Sequence, residues 1–139
     1  MKIKSQKAKL SGKIRVPGSK SHTIRALLFS SLAEGTSHIR NPLSGADCIS
    51  SSKAVPLFGA KVDISNPSDW IVEGEGKNAH LPDDVVNVGN SGSLLYFMSP
   101  VAATFNGWSV FTGDESIRTR PILHVVDALK QLGAEAYIS

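Results

Sequence analysis

A single cysteine, Cys48, is all the thiol chemistry in this chain, so an intrachain disulfide is impossible and a structural zinc site of the usual Cys/His type is not expected. The four histidines, His22, His38, His80 and His124, have no metal-ligand spacing, and no metal or other cofactor is expected. No apolar run reaches the eighteen or so residues that a membrane-spanning helix needs. Residues 1–12 are basic and polar and lack the apolar centre of a secretory leader. Charge of one sign is not in excess either. Fifteen Lys and Arg against twelve Asp and Glu leave +3, and the basic residues are scattered instead of gathered into a stripe. Membrane and nucleic-acid partners are therefore not expected, although a weak nucleic-acid binder stays open on net charge alone. The expected setting is a reducing cytoplasm. What the chain does have is 41% hydrophobic residues over 139 positions, enough for one core and one domain.

The stretch with most chemistry is Val16-Pro17-Gly18-Ser19-Lys20-Ser21-His22-Thr23-Ile24-Arg25. Ile14 and Val16 alternate with Lys13 and Arg15, which predicts a short strand. Pro17-Gly18 breaks it, and Ser19 is a good N-cap, because its hydroxyl accepts one of the orphan N–H groups of a first helical turn. Ile24, Leu27, Leu28 and Leu32 then form one apolar stripe, with Gly35 as the expected stop. Lys20 in the first turn opposes the helix dipole, and Ser21 and Arg25, four apart, share a face. An anion bound there resolves the conflict. The bland alternative is that Lys20 and Arg25 are solvated surface charges.

Further along, Thr36 to Arg40 reads as a strand anchored by Ile39 and turned by Asn41-Pro42. Ser44-Gly45-Ala46-Asp47 resembles a capping box opening a second helix, with Ala46, Ile49, Ala54 and Leu57 or Phe58 inward and Ser50-Ser51-Ser52 outward. Pro56 ends or kinks it and Gly59 closes it. Ala60 to Ile64 and Trp70 to Val72 form a hairpin across Asn66-Pro67-Ser68-Asp69, and Glu73 to Pro82 is an exposed connection in which Gly74-Glu75-Gly76 is a turn. Val85 to Val88 is a strand, Gly89 to Gly92 a turn, and Ser93 opens a helix carrying Leu94, Leu95, Met98, Val101, Ala102 and Phe105, ended by Asn106-Gly107. Trp108 to Thr112 is the next strand, with Trp70 and Trp108 both assigned to the core. Pro121 begins a final helix striped by Ile122, Val125, Val126 and Leu129, which Gly133 stops before a strand over Ala134 to Ile138. Asp83-Asp84 reads as a solvated turn.

The two halves resemble each other. Gly18-Ser19 and Gly92-Ser93, Gly59-Ala60 and Gly133-Ala134, and Phe58 and Leu132 are all 74 residues apart. Two βαβαββ units explain this offset, the first over about 13–84 and the second, truncated, over about 85–139. The expected fold is an incomplete α/β domain, part of something longer.

At this point three motifs carry a resemblance. Pro17-Gly18-Ser19-Lys20-Ser21 with Arg25 and Leu32-Ala33-Glu34-Gly35, then Gly89-Asn90-Ser91-Gly92-Ser93, then Gly113-Asp114-Glu115-Ser116-Ile117-Arg118-Thr119-Arg120-Pro121-Ile122, look like the amino-terminal part of an enolpyruvylshikimate-phosphate synthase. The resemblance covers essentially the whole chain and about the first third of a typical member. It implies an inside-out α/β domain and transfer of the enolpyruvyl group of phosphoenolpyruvate to the 5-hydroxyl of shikimate 3-phosphate, without metal or organic cofactor. By resemblance Lys20 contacts phosphoenolpyruvate, Ser21 and Arg25 hold the shikimate carboxylate, Asn90 and Gly92 line the phosphoenolpyruvate site, and Arg120 binds its anionic end. Lys20 and Arg120 are the residues closest to the chemistry. Tyr96 is a departure, because the family usually has arginine there and a phenol supplies no positive charge. Ser93 replaces a common threonine and keeps the hydroxyl. The family's acid/base groups come from later sequence, so the isolated chain is expected to be inactive and to need the remainder of the enzyme as its partner. A relative of the UDP-N-acetylglucosamine enolpyruvyl transferases and a non-catalytic small-anion binder are the alternatives.

Overall fold

The helix that opens after Ser19 is the element on which the rest is laid. In the computed structural model, which describes residues 2–139, this helix is α1 (Lys20–Leu32), and the Ser19 hydroxyl accepts from the His22 N–H at 3.4 Å. Its inward face is Ile24, Leu27 and Leu28, joined by the buried hydroxyls of Thr23 and Ser31. The stripe thus sits as the 3.6-residue spacing requires. Chain order continues with β1 (Glu34–Arg40), α2 (Ala46–Ala54) and a 3₁₀ turn (Val55–Phe58). Then come β2 (Lys61–Asp63), β3 (Asp69–Glu75), β4 (Val86–Asn87), α3 (Gly92–Ala102), β5 (Phe111–Thr112), α4 (Glu115–Arg118) and α5 (Leu123–Gln131).

The first sheet has the order β1-β3-β2 and is antiparallel throughout, with Ile39 opposite Trp70 and Val62 opposite Val72. Ile39, Trp70 and Val72 are buried, the period-2 signature of a sheet with one face on the core. That core is continuous, running from Ile24 and Leu27 through Cys48, Val55 and Phe58 to Leu94 and Met98. A second, two-stranded sheet pairs β4 parallel to β5, Val86 opposite Phe111. The chain is therefore a mixed α/β structure, as expected.

Several boundaries differ from the sequence reading, each for a physical reason. Residues 13–16 form no strand, and Ile14 and Val16 are exposed, because no described strand lies beside them to complete a ladder. Ala134 to Ile138 is likewise not a strand. Gly35 does not stop α1; Ala33 caps the helix in an extended conformation, and Gly35 is already in β1, paired with Gly74. The capping box does not form, since α2 begins after Gly45 with no side-chain cap. Its inward face is Cys48, Ser51, Ser52 and Ala54, so Ala46 is exposed and the serines are turned inward. Ser51 and Ser52 fit there because each hydroxyl donates back to its own helix, to the Asp47 and Ile49 carbonyls. Gly74-Glu75 belong to β3, not to a turn. The third helix is capped by Ser91, not opened by Ser93, and it ends at Ala102, before Asn106. The last helix starts at Leu123, two residues after Pro121. Trp108 is outside β5 and exposed, its ring stacked on Tyr137 with centroids 6.2 Å apart. Trp70 is in the core, as expected.

Candidate active site

Two helix N-terminal segments carry all the predicted residues except Arg120, and α2 lies against both helices. At the first, the Thr23 hydroxyl donates to the Ser19 carbonyl at 2.9 Å and accepts from the Leu43 N–H at 3.0 Å, which fixes the opening turn of α1 to the segment leading into α2. Lys20 projects from this turn about half exposed, its Nζ 3.5 Å from Asp47 Oδ1. Ser21 is exposed, and its carbonyl accepts from the Arg25 guanidinium at 3.2 Å. Arg25 lies over the Phe97 ring, 4.8 Å from its centroid, so a cation from α1 rests on an aromatic face of α3.

The second N-terminus belongs to α3. Ser91 caps it, accepting from the Leu94 N–H at 3.3 Å. Asn90 precedes the cap, and its Oδ1 accepts from the Ser50 hydroxyl at 3.2 Å. At Gly92 the helix backbone meets the Arg120 guanidinium: a Cβ placed there would lie 2.6 Å from Nη1 and 2.9 Å from Cζ. Only glycine leaves that room. Arg120 lies two residues beyond α4, whose Asp114 cap accepts from the Ile117 N–H at 3.1 Å. The Ser116 hydroxyl, at 2.6 Å, is the main reason the Asp114 carboxyl is held below the usual range.

Asp47 and Ser50 are three apart on α2 and share a face, so their partners Lys20 and Asn90 are held about one helical turn apart along it. Among the described residues the ion pairs are Lys20–Asp47 and Lys61–Glu73, the His38 ring lies 2.9 Å from an Asp69 oxygen, and neither Arg25 nor Arg120 takes part. No direct hydrogen bond joins Lys20 to Arg120 or Arg25 to Asn90 among the described residues. The arrangement is an open face with two dipole-positive helix ends and two guanidinium groups without carboxylate partners, chemistry suited to anions. A cleft of roughly 510 Å³ beside α1, lined by Pro17, Ser19, His22, His38, Arg40 and Asn41, contains none of these residues. Beneath the face, Cys48 is buried; burial foremost, and then Asp47, raises its thiol pKa, with Lys20 acting in the opposite direction.

The family profile described as EPSP synthase (3-phosphoshikimate 1-carboxyvinyltransferase) matches residues 4–139. The chain belongs to the EPSP synthase family. A 3-phosphoshikimate 1-carboxyvinyltransferase of Acetivibrio thermocellus is 50% identical over 137 residues, 99% of this chain and 32% of the relative. One from Methanothermobacter thermautotrophicus is 46% identical over 130 residues, 94% of this chain and 30% of the relative. An EPSP synthase structure from Acinetobacter baumannii superposes with a TM-score of 0.82 at 30% identity, covering 89% of this chain and 28% of that one. The chain thus spans about a third of the length of the curated relatives it matches. The EPSP synthase likeness agrees with an incomplete enolpyruvyl-transferase-like α/β domain.

Sequence reasoning missed two side chains of this candidate site, Asp47 and Ser50. The capping-box pattern assigns Asp47 to the helix end, and an inner face set by Ala46 and Ile49 turns the serines outward. The available signal was the Cys48/Ser51/Ser52 set of small residues, which lets one helix lie close to its neighbours. Tyr96, the departure from the family pattern, donates its hydroxyl to the Pro121 carbonyl at 3.3 Å and sets its ring edge-on to His124 at 5.4 Å. It ties α3 to the segment that follows Arg120.

Proposed function

We propose that this chain forms one wall of an enolpyruvyl transferase site, which moves the enolpyruvyl group of phosphoenolpyruvate to the 5-hydroxyl of shikimate 3-phosphate and releases phosphate. The observation that carries the reading is the pair of capped helix N-termini, bridged by α2, beside two guanidinium groups without carboxylate partners. Both substrates are multiply anionic, and a site for them needs fixed positive potential that persists while charge shifts during addition and elimination. Lys20 is a compact cation for a phosphate or carboxylate of phosphoenolpyruvate, and Arg120 a planar fork for the same molecule. Asn90 contributes its side-chain NH₂, and Gly92, without a side chain, lets a ligand come close to the first turn of α3. Ser21 and Arg25 would take the shikimate carboxylate. The open face calls for a second wall, in keeping with relatives three times as long. The proposal therefore includes the remainder of the enzyme as partner, two repeats over about 13–84 and 85–139, and work in the cytoplasm.

A second reading, a non-catalytic anion-binding face, draws on Tyr96, which brings no charge where the family usually has arginine. The two readings separate in an NMR titration with shikimate 3-phosphate, repeated on Arg25→Ala. Saturable shifts at Lys20, Ser21 and Arg25 that the variant abolishes support the transferase site. Shifts of equal size with inorganic phosphate, unchanged in Arg25→Ala, refute it in favour of the general anion face.

A further inference from the structure

The polar side of α2 carries more information than packing requires. Ser51 is fully buried, its hydroxyl donating to the Asp47 carbonyl at 2.8 Å, and its oxygen lies 3.3 Å from the Oγ of Ser91, which is also fully buried. A hydroxyl has one proton. Since the proton of Ser51 goes to Asp47, the Ser91 hydroxyl is the donor to Ser51, and the lone pairs of Ser91 are free to accept from Leu94 N–H. The result is a directional chain from the first turn of α3, through Ser91 and Ser51, to the backbone of Asp47, whose carboxylate holds Lys20. One turn along, Ser50 donates to Asn90 Oδ1, so the amide oxygen faces α2 and the NH₂ group is left for the open face. Gly89, with φ of +58°, gives Ser50 the room it occupies; a Cβ there would collide with the serine hydroxyl.

We propose that Ser50 and Ser51 are positioning residues of the site. Ser50 fixes Asn90 as a hydrogen-bond donor toward an anionic ligand, and Ser51 sets the first turn of α3 at a fixed distance from Lys20. This rests on the transferase reading for the identity of the ligand, but not for the geometry itself. A freely rotating Asn90 would offer its oxygen as often as its NH₂, and an oxygen repels phosphate or carboxylate. Ser50 removes that ambiguity.

The test uses the 139-residue chain, with Ser50→Ala, Ser50→Thr and Ser51→Ala. In the ligand-free wild type, the Asn90 side-chain amide should give one ordered pair of NMR resonances with contacts to residue 50. Ser50→Ala should lose those contacts and the order, and Ser50→Thr should restore both. On titration with phosphoenolpyruvate, Ser50→Ala should bind about fivefold more weakly, the loss of one hydrogen bond of about 1 kcal/mol, with Ser50→Thr near wild type. In Ser51→Ala the Leu94 and Ser91 amides should shift while Asn90 stays ordered. Asn90 unchanged in Ser50→Ala overturns the proposal, as does failure of Ser50→Thr to restore it. Ser50 is only half-buried, so its variants decide the matter even if Ser51→Ala does not fold. If the isolated wall binds no phosphoenolpyruvate without the remainder of the enzyme, the ligand-free spectra still decide the positioning.

Discussion

Replacing Gly92 with alanine separates stability from binding at this site. The added methyl carbon would sit 2.6 Å from Arg120 Nη1, whereas ordinary contact begins at about 3.4 Å, so the guanidinium has to retreat by the difference. What blocks the methyl is the far end of a flexible side chain, so the backbone does not need to move. Gly92 opens α3 with a backbone that alanine can adopt, and alanine there narrows the unfolded chain, a gain of about 0.4–1 kcal/mol. The variant should therefore melt no lower than the parent. Its anion binding should suffer, because a displaced guanidinium forfeits a charged hydrogen bond of about 1.5–3 kcal/mol, roughly ten- to a hundredfold in Kd. Thermal denaturation gives the first quantity. NMR titration with phosphoenolpyruvate gives the second, and the Arg120 side-chain N–H resonance reports the displacement without ligand. An Arg120 resonance identical in both proteins, or undiminished affinity after it has moved, refutes the reasoning.

Three further outcomes follow from the same geometry. Tyr96→Phe should leave the melting temperature nearly unchanged and broaden the Arg120 and Pro121 region in NMR spectra, because only an exposed hydroxyl-to-carbonyl bond is lost. A change confined to α1 would contradict this. Thr23→Val should cost about 1–3 kcal/mol in denaturant unfolding, since the Leu43 N–H loses its only acceptor among the described residues and the Ser19 carbonyl loses a donor. Cys48 holds its proton more tightly folded than unfolded, so its contribution is intact below the ordinary thiol pKa and declines as pH rises through the raised value. The chain should thus lose stability from about pH 9 upward more steeply than Cys48→Ala, and iodoacetamide should label Cys48 only as fast as the chain opens.

Local patterns made much of this structure legible. The α1 stripe, the Ser19 cap, the hairpin through Asn66-Pro67 and the Gly59 stop are short-range features, and each appeared where its spacing required. The strands predicted at 13–16 and 134–138 are a different kind of statement. A period-2 pattern shows that a segment is able to pair, not that a partner is at hand. The inner face of α2 was misjudged for a related reason: burial of Ser51 and Ser52 depends on what packs there, and their self-satisfied hydroxyls make them acceptable in a core that hydropathy would deny them. Motif order identified the family and the candidate residues, while the contacts that tie Lys20 to Asn90 across α2 needed three dimensions.

The two tryptophans have become separate instruments. Trp70, 1% exposed on the central strand β3, emits from the interior and reports whether the first sheet is intact. Trp108, 67% exposed and stacked on Tyr137, emits from water. A neutral quencher such as acrylamide should silence the second and spare the first. Any polypeptide that settles over Trp108 would then announce itself as protection and a blue shift of that component alone, with Trp70 as the internal standard in the same cuvette.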